Sequence, residues 1–205
     1  MQWKFDFKKE YKELYIAQAN RISLVSVPKF SFLMIDGHGD PNISAQFQQA
    51  MDALFSVSYT IKFMLKKGGQ QIDYGVMPLE GLWWTDNSNN FWMQDKALWN
   101  WTIMIMQPEF VTSPIIEQGT AQAGKRKYLP MLSHLRLEAM NEGLCAQVLH
   151  IGPYDKEPPT IQKLHAFIKD NGYKLNGKHR EIYLSDVRRA APDKLKTIIR
   201  QPICK

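Results

Sequence analysis

One order of elements occurs twice in this chain of 205 residues, and that repetition limits what it can fold into. The first pass opens on the apolar strand Phe30-Ser31-Phe32-Leu33-Met34-Ile35 and turns through Asp36-Gly37-His38-Gly39-Asp40-Pro41. A helix follows from Asn42 as N-cap, with Ile43, Phe47, Ala50, Met51, Leu54 and Ile61 at helical spacing. Lys66-Lys67-Gly68-Gly69 closes it with cationic residues and a glycine stop. Two strands are predicted next, at about Gln71 to Met77 and Trp99 to Met106. The second pass runs from Cys145-Ala146-Gln147-Val148-Leu149-His150-Ile151 through the turn Gly152-Pro153-Tyr154-Asp155 into a helix from about Pro158 to Asp170. It continues with a strand around Glu181 and a last strand near Leu195 to Ile199. Each half therefore reads strand, helix, strand, strand, and two such halves can join into one antiparallel sheet with helices on one face.

The boundaries follow: a first module at about 28–107, a helical connector at about 108–143 and a second module at about 144–205, all within a single domain spanning 1–205. The connector is predicted as helices over Ser113 to Ala123 and Tyr128 to Met140, stopped by Gly143. Thr85-Asp86-Asn87-Ser88-Asn89-Asn90 is polar and rich in turn formers, so a surface loop is expected. The sheet face away from the helices should stay open. Aromatics and methionines nevertheless fall on both faces of several strands, so the connector, another subunit or a ligand must cover the groove.

Composition narrows the class of function. Hydrophobic content of 44% with 22% charged residues suits a globular protein, and no apolar run approaches the roughly 18 residues that cross a bilayer. With no uninterrupted apolar stretch at its amino terminus, the chain reads as cytoplasmic and free of membranes. Cys145 and Cys204 lack the spacing of a metal or redox pair and read as reduced, packed thiols. The net charge of +6 is dispersed over Lys66-Lys67, Lys125-Arg126-Lys127 and Arg188-Arg189 instead of forming a stripe, so no nucleic-acid partner is expected.

Chemistry concentrates in His179-Arg180-Glu181-Ile182-Tyr183-Leu184-Ser185-Asp186. Alternation sends Ile182 and Leu184 to one face and Glu181, Tyr183 and Ser185 to the other. A carboxylate beside a tyrosine, in a chain with Trp83, Trp84, Trp92, Trp99 and Trp101, predicts an aromatic-walled pocket holding one acid. Such a pocket suits a flat, lipophilic molecule. Adjacent Trp83 and Trp84 face opposite ways in an extended segment, so one of the two belongs to the core.

Several segments resemble the GyrI-like small-molecule-binding domains. They are Leu144 to Glu157, which includes His150-Ile151-Gly152-Pro153-Tyr154; Gly172-Tyr173; and His179 to Asp186. Pro78-Leu79-Glu80-Gly81-Leu82-Trp83-Trp84 and Ile35 to Asn42 look like the freestanding branch of that family. The likeness spans nearly the whole chain and departs at Val187, where proline is expected. It implies a pseudo-twofold α+β fold, a ligand groove between the halves and an acidic residue inside it at the Glu181 position. It further implies hydrolysis of cyclopropanoid genotoxins, as in some freestanding relatives, or binding alone. No helix-turn-helix segment is read before the domain, which argues against the multidrug-sensing transcription regulators that carry the same domain at their carboxyl end.

The expected chemistry is cofactor-free and metal-free. Glu181 acts as general base, raised toward neutral pH by desolvation, and Tyr183 either bonds that carboxylate or donates to a ligand carbonyl that gains charge as a strained ring opens. Trp83, Trp84, Glu80, Tyr74, Trp101, His150 and Tyr154 are the candidate ligand-binding residues. His150 and His38 sit at strand-to-turn positions where a turn-stabilising hydrogen bond is the simpler role. Glu157 precedes a helix, where a carboxylate suits the positive end of the dipole. Two non-catalytic readings stand beside the hydrolase: sequestration of planar, often cationic compounds by a monomer or homodimer, and a gyrase-inhibitor-like interaction protein.

Overall fold

A computed structural model describes residues 3–69, 71–86 and 91–205; positions 87–90 of the expected surface loop lie outside them. The long strands are β3 (Phe30–His38), β5 (Leu79–Trp84), β6 (Asn100–Gln107), β8 (Gly143–Ile151), β10 (His179–Tyr183) and β11 (Lys196–Cys204). Shorter ones are β1 (Trp3–Phe5), β2 (Ser23–Val27), β4 (Ile72–Tyr74), β7 (Arg136–Met140) and β9 (Lys174–Leu175). The main antiparallel sheet has nine strands in the order β2-β8-β11-β10-β5-β6-β3-β7, with β9 added beside β11. Beside it, β1 and β4 form a parallel pair. The strands of the two halves meet where β10 pairs with β5, with Glu181 opposite Gly81 and His179 opposite Trp83.

Helices α3 (Ala45–Lys67) and α5 (Pro158–Asp170) lie over the same face of this sheet, one over each half, and α4 (Ser113–Arg126) packs against α3. Helix α3 starts at Ser44, whose Oγ accepts from the Phe47 N–H at 3.2 Å; Asn42, the predicted cap, is bonded instead to Asp40. Its buried stripe includes Ala50, Leu54, Val57 and Ile61, facing strands β3 and β6. Helix α5 buries Ile161, Leu164 and Ile168 against Val148, Ile199 and Ile203. Close packing of sheet on itself is visible at Gly37: a Cβ there would lie 2.1 Å from the Trp101 ring, which covers that glycine.

The opposite face is not open. The short helices α1 (Phe7–Glu10) and α2 (Lys12–Tyr15) cover its centre, where Tyr15 donates to Glu80 and the Glu13 carbonyl accepts from Gln147 at 2.8 Å. The cover expected from the connector, a partner or a ligand is thus supplied by the amino-terminal segment. Half of the connector also differs. The 128–140 stretch is a 3-10 turn followed by edge strand β7, not a helix, because residues 136–140 pair with β3 and Arg136 bonds Asp36 and Glu138. Gly143 does not stop a helix; it opens β8 with φ of 67°.

Candidate acid-pair site

Strand β10 presents different chemistry on its two faces. Toward the helices it places His179, Glu181 and Tyr183; toward α1 and α2 it places Arg180 and Ile182. Glu181 lies on the sheet floor between α3 and α5 and is only 7% exposed. Its Oε2 accepts from the Tyr183 hydroxyl at 2.6 Å and its Oε1 lies 3.2 Å from His179 Nε2. Tyr183 in turn accepts from the Trp83 indole N–H at 3.0 Å. That approach depends on Gly81, whose Cβ, if present, would lie 2.6 Å from Trp83 Nε1 and 3.1 Å from the Tyr183 hydroxyl.

A second carboxyl completes the site. Glu157 stands at the N-cap position of α5, yet its side chain makes no capping bond; it is buried, 3% exposed, and its charge and that of Glu181 act on each other. Its Oε1 has no hydrogen-bond partner among the described residues. Burial, and then the charge of Glu181, hold Glu157 well above the usual carboxylate range. Burial also works to raise Glu181, but His179, Tyr183 and Glu157 beside it outweigh that and leave Glu181 below its ordinary value. The expectation that desolvation raises Glu181 is therefore reversed. Donors around it decide the sign, and the raised acid is its neighbour.

Aromatic rings enclose the pair. Trp83 packs on Phe47 and edge-on to Trp99, and Phe91 lies on both Trp99 and His179. Tyr154, partly exposed, meets Tyr183 edge-on at 5.5 Å, and burial pushes its hydroxyl up to about 12. Behind this cluster, Trp92 packs edge-on against His165 of α5, whose imidazole is lowered to about 4 by burial and by His179. His165 is half-buried and lies within electrostatic reach of the buried His179. Two open surface cavities among the described residues, of ≈390 Å³ beside His165 and Tyr173 and ≈360 Å³ between α3 and α4, are lined by neither acid.

The family model for the GyrI-like small molecule binding domain matches residues 21–203. The chain belongs to that family. An uncharacterized conserved protein from Listeria innocua is 39% identical with a TM-score of 0.88, covering 98% of this chain and 100% of its own. Two structures from the same organism described as hydrolases are 38% and 37% identical, with TM-scores of 0.84 and 0.87, and each again covers 98% of this chain and 100% of its own. The EcmrR C-terminal domain shares the fold at 15% identity, with a TM-score of 0.58 over 90% of this chain and 98% of its own. Among curated proteins, none matches this sequence.

The candidate residues named from the sequence separate into those around Glu181 and those elsewhere. Tyr183, Trp83 and Tyr154 join Glu181 directly or through one contact. His150 stands on the same face, with both ring nitrogens engaged by Thr160 and the Pro153 carbonyl, so it ties strand β8 to the start of α5. Trp101 shares the face but is fully buried, edge-on to Phe47. Glu80 and Trp84 lie on the opposite face: Glu80 bonds Arg180 and Tyr15, and Trp84 sits beneath the Lys178 ammonium at 3.2 Å. Tyr74 packs with Phe110 near Lys62, remote from the pair. Glu157 was the residue undervalued by sequence reasoning. Its signal was the turn Gly152-Pro153-Tyr154, which returns the chain onto the strand face where Glu181 stands.

Proposed function

We propose that this protein binds planar, lipophilic compounds beside Glu181 and hydrolyses strained electrophiles such as cyclopropanoid genotoxins, without a cofactor. The observation that carries this reading is the buried Glu181 carboxyl, held by the Tyr183 hydroxyl at 2.6 Å and lying 3.2 Å from His179, with the buried Glu157 beside it raised and Glu181 itself lowered from the ordinary carboxylate value. Paired titratable groups pushed apart by their surroundings are how one site holds a base and an acid at the same pH. The two hydrolases at 38% and 37% identity support an enzyme over a passive binder.

In this reading a ligand enters where the partly exposed Tyr154 ring swings off Tyr183, and Trp83, Trp99 and Phe91 wall it in. Glu181 takes a proton from water as the water oxygen bonds the strained carbon. The ring C–C bond breaks and its electrons move to a conjugated carbonyl oxygen, which is protonated at the mouth. Tyr183 holds the base in place, because its one proton is committed to Glu181 and its lone pair to Trp83. Tyr154 is then the hydroxyl available to that carbonyl.

Glu181→Gln should keep ligand affinity and lower turnover of a spirocyclopropyl cyclohexadienone by about 10²–10⁴-fold, the usual worth of a positioned base. Full turnover in that variant contradicts the mechanism. The ionised Glu181 amid aromatic rings also favours a second reading, capture of lipophilic cations. Neutral and cationic forms of one dye binding with equal affinity would exclude it.

A further inference from the structure

We propose that the groove between α3 and α4 is a second ligand site, separate from the acid pair, that takes a single-chain anionic amphiphile such as a fatty carboxylate. Three features unused by the hydrolytic reading meet there. The first is the cavity of ≈360 Å³ lined by Thr60, Phe63, Met64, Lys67, Gln122 and Arg126, a volume within the range of small-molecule pockets. The second is its charge. Two cations line the cavity and no acid does, and neither Lys67 nor Arg126 forms an ion pair among the described residues, whereas Lys62, Lys66 and Lys127 nearby are all paired with aspartates. The third is a row of exposed rings. Phe55, Tyr59 and Phe63 stack in succession at 6.3 and 6.4 Å, and Tyr59 and Phe63 are 47% and 44% exposed.

Residues four apart share a helix face, so the three rings make one apolar track about 12 Å long, eight residues at about 1.5 Å each. Phe63 belongs to both track and cavity, and therefore joins the apolar surface to the cationic recess. The Thr60 hydroxyl is bonded to the Ser56 carbonyl at 2.7 Å, which leaves Lys67, Arg126 and the Gln122 amide as the polar groups for a head group. An anion without a tail would leave the rings in water, and an uncharged hydrocarbon would leave the cations unmet. A molecule carrying both satisfies both. Charge complementarity sets the head group as carboxylate, sulfate or phosphate. The cations line a recess between two helices instead of surrounding the exposed rings, which suits one entering chain and not a bilayer surface.

The test titrates the full chain calorimetrically with sodium dodecanoate below its micelle concentration, beside dodecyltrimethylammonium, which has the same tail and the opposite charge. Dodecanoate should bind about tenfold or more tighter than the cation, and the double variant Lys67→Glu with Arg126→Glu should lose about tenfold or more in dodecanoate affinity. Lys125→Glu, at an exposed cation outside the cavity, should leave that affinity in place, and so should Glu181→Gln. In ¹³C-methyl-methionine spectra of the wild type the Met64 signal, assigned with Met64→Leu, should shift on titration. Lys67 and Arg126 are exposed, so the charge-reversed chain folds, and the Met64 readout needs no charge variant. No binding of dodecanoate, equal affinity for the two head groups, an unmoved Met64 methyl, or an equal loss in Lys125→Glu or Glu181→Gln overturns the inference. Binding to anionic phospholipid vesicles without binding of monomeric dodecanoate also overturns it and assigns the rings to a membrane surface. Each of these results leaves the hydrolytic reading standing, because turnover at Glu181 is measured separately.

Discussion

Arg180 and Glu181 are neighbours in sequence and opposites in environment. On the Arg180 face, buried carboxylates meet cations: the guanidinium bonds Glu80 and Glu142, with Nε to Glu80 at 2.7 Å, while Arg200 bonds Gln147 and the Leu14 carbonyl. On the Glu181 face, two buried carboxyls adjoin each other, and neither carries an arginine or lysine ion pair among the described residues. Burial pulls Arg180 down, but Glu80 and Glu142 push it up further, so the guanidinium stays charged. In the Glu157–Glu181 pair, instead, the two acids are shifted apart, Glu157 upward and Glu181 downward. One face fastens the amino-terminal segment to the sheet; the other holds two buried carboxyls near aromatic rings.

Breaking the comparison from the structural side should give the largest effect. Arg180→Leu leaves Glu80 and Glu142 buried without their cation and should cost about 3–5 kcal/mol in a denaturant titration. Glu181→Gln, one residue on, should change stability far less while removing turnover. Tyr183→Phe removes the 2.6 Å donor to Glu181 and leaves the Trp83 N–H without its acceptor, a loss of about 1.5–3 kcal/mol with Glu181 shifted upward. Gly81→Ala pushes a methyl group into Trp83 and should cost about 1–3 kcal/mol and lower turnover with it, because Trp83 no longer fixes Tyr183.

The smallest effect is in pH dependence, and it sharpens the contrast most. Glu157 is raised in the folded state, so its contribution to stability is complete below the ordinary carboxylate range. It is lost as pH climbs from there toward the raised folded value, because the unfolded chain releases that proton first. Glu181 is lowered, so its contribution is present above the ordinary range and lost on acidification through the folded value. Glu157→Gln should therefore flatten the alkaline side of the stability profile and spare the acid side, as read by melting temperature against pH.

How much of this was legible in the sequence depends on whether one face of an element met water or charge. The β10 alternation was readable because Ile182 and Glu181 differ in kind, and the α5 stripe of Ile161, Leu164 and Ile168 was readable for the same reason. Strand β5 was hidden: Leu79 to Trp83 is buried on both faces, so no alternation marks the strand that joins the halves. The leucines at 129, 132, 135 and 137 mimic a helical period, whereas pairing of residues 136–140 with β3 decides the outcome at tertiary level. At the site, Glu181 and Tyr183 were legible from one strand. The Glu157 contact joins a helix start to a strand 24 positions later, and the direction of each acid's shift depends on donors that no local pattern reveals.

The central claim is that a proton resides on Glu157 while Glu181 is ionised. Infrared difference spectroscopy of the ¹³C-glutamate-labelled protein at neutral pH tests it most directly. A neutral carboxyl C=O stretch should be present in the wild type and absent in Glu157→Gln. A wild-type spectrum with every glutamate ionised, or a neutral band that survives in Glu157→Gln, would contradict it.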